Sequence, residues 1–172
     1  MITAEDLFKQ ANISPTDFGV DIVPPGTEDE LARVFAIEHI DELILPGAVG
    51  DVSVPFAQAA NGYDLPLPLE VVMARYPRFT QNNVDAYNDQ LQALYDAAVV
   101  SYARSEINKQ VASNSGTYDQ DADQDRKIGD QKLAKLIESV SDIVRYFEIG
   151  PGVGTKNRRA MPSMSVSTGF TF

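Results

Sequence analysis

Residues 80–112, TQNNVDAYNDQLQALYDAAVVSYARSEINKQVA, decide the fold. Val84, Tyr87, Leu91, Leu94, Ala98 and Tyr102 step by three or four residues, the spacing that gathers side chains on one helical face. Thr80 precedes the stripe and is suited to cap it. The 33 or so residues predict a rod about 50 Å long, at about 1.5 Å per residue. That is longer than one small domain needs. The fold class that follows is mainly α, a helical bundle built on one long central helix.

Working outward, a polar loop is predicted over 113–124 (SNSGTYDQDADQ), then a last helix over 125–148. Leu133, Leu136, Ile137, Val140, Val144 and Phe147 share one face of that helix. On the other side, Thr3 with Asp6 marks the start of a short helix ending near Asn12. Thr27 is read as the cap of a second helix, in which Leu31, Val34, Phe35, Ile37 and Ile40 recur to about Leu45, where Pro46-Gly47 stops it. Residues 47–67 read as an irregular, proline-rich insertion. Val52, Val54 and Phe56 alternate there as a brief strand, kept at an edge by Pro55. Leu65-Pro66-Leu67-Pro68 is extended, and a short helix follows over Leu69–Tyr76.

Two parts are expected: a helical body over 1–148 and an extended docking arm over 149–172. Gly150-Pro151-Gly152 separates them. In the arm, Met164, Val166, Thr168, Phe170 and Phe172 alternate with Ser165, Ser167, Gly169 and Thr171, a strict period of two. A strand with no neighbour in sequence suits pairing with another chain's sheet edge. The partner-docking residues expected are therefore Lys156, Arg158 and Arg159 for charge, and Met164, Val166, Phe170 and Phe172 for the apolar face.

Charge sharpens that division. The 172 residues carry a net charge of −11, with no cysteine and one histidine. Residues 1–100 hold sixteen acids against Lys9, Arg33, Arg75 and Arg78, whereas 149–172 hold three bases and no acid. The acidic balance disfavours a surface that grips duplex DNA, which needs clustered Lys and Arg. No apolar run is long enough to span a membrane. The charged opening, MITAEDLFKQ, lacks a signal-peptide core. Opposite charges on one chain suit contact between copies or with an acidic partner.

Several chemistries fail on spacing. Gly150–Lys156 lacks the glycine spacing and the strand-to-helix setting of a phosphate loop. Asp119, Asp121, Asp123, Asp125 and Asp130 do not complete a calcium loop, since Gln124 stands where glycine is required and Asp130 where glutamate is usual. His39 has no second histidine for a zinc site, and no serine sits in a nucleophile-elbow pattern. Tyr87, Tyr95 and Tyr102 read as packing residues rather than a base-stacking platform, because basic neighbours are scarce. No enzyme activity, metal or cofactor is expected, with a small calcium-binding module or hydrolase as the remaining rival class.

The opening Met1-Ile2-Thr3-Ala4-Glu5-Asp6-Leu7-Phe8-Lys9 resembles the start of head–tail connector (adaptor) proteins of tailed bacteriophages. The acidic start at Thr27-Glu28-Asp29-Glu30-Leu31 and the prolines of 65–68 before the long helix extend the resemblance over about two-thirds of the chain. It implies a virion protein of the neck: a homo-oligomeric ring of twelve copies, assembled in the bacterial host cytoplasm. Such a ring binds the portal protein through its C-terminal arm, meets tail or neck proteins, and lets DNA pass without sequence-specific binding. A tail terminator or completion protein is the nearest alternative.

Overall fold

The computed structural model describes residues 2–75, 80–115 and 120–148. Its elements are α1 (Ala4–Ala11), a 3-10 turn (Pro15–Phe18), α2 (Asp29–His39), a π turn (Ile40–Ile44), α3 (Leu45–Ala59), α4 (Glu70–Arg75), α5 (Gln81–Ser115) and α6 (Gln120–Glu148). The described protein is mainly helical, and among the described residues there is no strand.

The long helix is present and runs three residues beyond its expected end, to Ser115. Asn83 accepts hydrogen bonds from the Thr80 backbone N–H at 2.9 Å and its hydroxyl at 2.8 Å, fixing the start of α5. Val84, Leu91, Ala98 and Tyr102 are buried, with Tyr87 and Leu94 half-buried beside them. The expected loop over 113–124 is shorter than its polarity suggests. Helix α6 already begins at Gln120, where Asp121 and Asp123 in the first turn favour the helix dipole.

Helices α5 and α6 pack antiparallel, and their polar contacts record the register. Tyr87 Oη donates to Ser139 O, Tyr102 Oη to Asp130 Oδ1, and Ser105 Oγ to Ala122 O, at sequence separations of 52, 28 and 17. Leu136, Val140, Ile143 and Val144 close the apolar part of this seam. Within the seam a Cβ on Gly129 would lie 3.1 Å from the Tyr102 ring, so glycine lets the two helices approach.

The region before α5 departs most from the sequence reading. Thr27 does not cap α2; its hydroxyl donates to Pro24 O at 2.7 Å, and Glu28 takes the cap position. Pro46-Gly47 does not stop the helix, and 52–56 is not an edge strand. Helical structure continues from Asp29 to Ala59, with Pro46 in the first turn of α3 and Pro55 inside it. The reason lies in burial. Ala32, Ala36, Ile40, Ile44, Ala48, Val52, Phe56 and Ala60 are all buried, one every four residues. An α-helix turns every 3.6 residues, so a four-residue stripe drifts around it. The wider π turn takes back part of that drift and keeps the stripe on the core. Leu45 N–H donates to Ile40 O across this turn, just before Pro46, which has no N–H to satisfy. Val54, the middle member of the apparent strand alternation, is 59% exposed, whereas Val52 and Phe56 are a buried i, i+4 pair.

Helix α3 packs on both α5 and α6, and α1 and the 3-10 turn pack on α5. Helix α1 begins as expected, with a reciprocal Thr3–Asp6 capping box. That hydrogen bonding holds the Asp6 carboxyl below its ordinary range. The 65–68 segment is not extended throughout: it bends at Leu65-Pro66, whose peptide bond is cis, and is tied down by Asn88, which accepts from Leu67 N at 2.8 Å and donates to Leu67 O at 3.2 Å.

Candidate partner-binding surface

All seven docking residues expected from sequence, Lys156, Arg158, Arg159, Met164, Val166, Phe170 and Phe172, lie outside the described residues, as does the 150–152 hinge. What the structure places is the surface of the body.

The 29–59 rod buries one side, α2 on α1 and the 3-10 turn, and the π turn and α3 on the long helices, and leaves its other side to water. That side combines acids with apolar groups. Leu31, Val34, Leu43, Val49 and Val54 are exposed at 49, 44, 65, 37 and 59%. Glu28, Asp29, Glu30, Glu38, Asp41 and Glu42 are exposed among them. Between Gln10 and Ala74 the one Lys or Arg is Arg33, and Glu5 holds it at 2.9 Å while also bridging Lys9 at 3.1 Å. The rod therefore presents unneutralised carboxylates next to uncovered hydrocarbon.

Beside the π turn a cleft of about 330 Å³ opens between the rod and α5. Its residues include His39, Asp51, Tyr102, Glu106, Gln110 and Arg126. His39 Nε2 and Gln110 Oε1 are 2.9 Å apart, and Phe18 meets the imidazole edge-on at 5.8 Å. Arg126 Nη1 lies 3.1 Å from Asp51 Oδ2, and its guanidinium sits 4.5 Å above the centre of the Tyr102 ring. Burial, then the hydrogen bond to Asp130, pushes the Tyr102 phenol up to about 12, against the opposing pull of Arg126. Tyr102 is thus a neutral donor at physiological pH, not a base or nucleophile. Among the described residues the cleft lining holds the sole histidine but no serine, threonine or cysteine, so it does not assemble an acyl-transfer dyad. Of these residues the sequence singles out His39 and Tyr102; the packing of α3 and α6 on α5 adds Asp51 and Arg126 to the same lining.

Of the five acids spaced like part of a calcium loop, Asp119 lies outside the described residues and the other four stand on helix α6. Asp125 is buried, accepting from Asn108 Nδ2 at 3.1 Å and facing Arg104 Nε at 3.5 Å, and Asp130 accepts from Tyr102. Among the described residues no three His, Cys, Asp or Glu side chains gather where they could hold a metal ion. Tyr87, Tyr95 and Tyr102 are packing residues: Tyr95 meets Phe56 edge-on at 5.8 Å, and the other two bond to α6. Burial also drives the Tyr87 phenol up to about 12, with the Asp142 charge adding to it.

A second cleft of about 440 Å³ lies on the other flank of α3, lined by Val54, Phe56, Leu65, Gln92 and Tyr95 among others. No described helix is long and apolar enough to cross a membrane. Compared with known proteins, the chain matches no family model, no curated protein and no solved structure.

Proposed function

We propose that this protein is a structural subunit of a ring at the head–tail junction of a tailed bacteriophage, joining the portal vertex to the tail while DNA passes through. The observation that carries the reading is the mixed acidic and apolar face of the 29–59 rod, left open in one copy of the chain. Apolar side chains rimmed by charged ones are the make-up expected of an interaction surface. The connector-like opening at Met1–Lys9 and the rod-like α5 support the same reading. An acidic wall repels phosphate and lets a duplex slide rather than stick.

In this reading the arm over 149–172 is a β-type strand that pairs with an edge on the portal protein. Lys156, Arg158 and Arg159 approach acidic groups, and Met164, Val166, Phe170 and Phe172 bury their faces. Repetition around a ring multiplies weak arms into a firm attachment. The test is truncation after Gly154. The body should keep its helical circular dichroism, because its core lies within 4–144. Recruitment to portal-bearing heads, followed by electron microscopy, should be lost. Normal assembly of the truncated chain onto filled heads would refute the arm's role.

A further inference from the structure

The rod and α6 carry two exposed faces whose charges and spacings match. On the rod, Glu30 and Glu38 lie eight residues apart, about 12 Å along the axis, with exposed Val34 midway and Leu31 beside it. On α6, Lys127 and Lys135 also lie eight residues apart, with exposed Gln131 midway and the small side chain of exposed Ala134 alongside. The other Lys and Arg side chains on α5 and α6 are committed: Arg104 to Asp125, Lys109 to Glu106, Arg126 to Asp51 and Asp130, and Arg145 to Asp142. Lys132 donates to Ala97 O and Ser101 Oγ. Among the described residues neither Lys127, Lys135, Glu30 nor Glu38 has an ion-pair partner.

We propose that the Glu30–Leu31–Val34–Glu38 face of one copy docks on the Lys127–Gln131–Lys135 face of a second copy. The occupant is another copy of this chain because the lysine pair repeats the carboxylate pair at the same axial spacing, and Ala134 leaves room for Leu31 and Val34. The two faces belong to different helices, so the contact is heterologous and propagates head to tail, which closes into a ring when the rotation allows. The inference rests on the ring reading only for that closure; the pairwise contact stands without it.

The experiment uses the full chain in about 0.1 M salt, where long-range repulsion between acidic bodies is screened beyond about 10 Å. Two variants are made, Glu30→Lys with Glu38→Lys, and Lys127→Glu with Lys135→Glu. All four sites are exposed, and circular dichroism checks that each variant keeps its helices. Sedimentation velocity over a concentration series should show self-association of the original chain and at least about a tenfold weakening in each variant, since like charges then face one another. An equimolar mixture of the two variants should regain association, because each reversed face now finds its complement. An original chain that stays monomeric at every concentration, reversals without effect, or a mixture no stronger than its parts would each overturn the proposal. Portal recruitment, measured separately, tells its failure from that of the connector reading.

Discussion

Replacing Gly129 with alanine separates two opposed effects on α6. Helix propensity alone favours the change by about 1 kcal/mol, because glycine leaves more backbone freedom to lose. Packing opposes it. The new Cβ would stand 3.1 Å from Cδ1 and Cε1 of Tyr102 and 3.4 Å from Ser101 Cβ. The Tyr102 ring cannot yield freely, since its hydroxyl donates to Asp130 at 2.7 Å and Arg126 lies over its face at 4.5 Å. Disturbing a hydrogen bond to a carboxylate costs about 1.5 kcal/mol at the lower end, appropriate because Asp130 is exposed. Weakening an exposed cation–π contact adds about 0.5 kcal/mol. Gly129→Ala should therefore destabilise by about 1 kcal/mol net, the packing loss less the propensity gain. In a Tyr102→Ala background the obstruction is gone, and the same substitution should stabilise by about 1 kcal/mol. Urea unfolding followed by circular dichroism measures both. If Gly129→Ala raises the urea midpoint in the original chain, the close approach of α5 and α6 at this glycine is refuted.

Three further outcomes follow from burial and charge. Leu91→Ala should cost about 2–5 kcal/mol, because Leu91 is 1% exposed, while half-buried Leu94→Ala should cost clearly less; equal losses in urea unfolding would contradict the assigned face. Tyr87 and Tyr102 ionise near 12 in the folded chain and near 10 when unfolded. Above pH 10 the unfolded state loses these protons first, so their stabilising contribution, complete below pH 10, should vanish as pH rises towards 12. Unfolding midpoints at about pH 9 and about pH 11 check this, and Tyr87→Phe should flatten the decline. Thr3→Ala removes the hydroxyl that accepts from Asp6 N–H, and should cost about 1 kcal/mol in the same unfolding assay.

The amino-acid sequence by itself determined the long helices. In 80–112 and 125–148 the apolar side chains recur at the helical period with no proline within, so local preference and burial agree. The Thr3–Asp6 cap was legible for the same reason, being a contact between residues three apart. The candidate surface was half legible: its acids and the absence of a second base near Arg33 are composition, but which side of the rod faces water is not.

Tertiary structure decided the rest. Pro46, Gly47 and Pro55 are breakers by local preference, and Val52-Ser53-Val54-Pro55-Phe56 alternates like a strand. Yet α5 and α6 offer an apolar surface, and only a helix carries Ile44, Ala48, Val52 and Phe56 onto it together. Burial of those four side chains outweighs the cost of one proline and one widened turn. The Arg126–Tyr102–Asp130 cluster and its link to Asp51 join residues up to 75 apart, and no local period records such a meeting. A helix reads its own period from its neighbours in sequence; where it lies against another helix is set by the surface that both must remove from water.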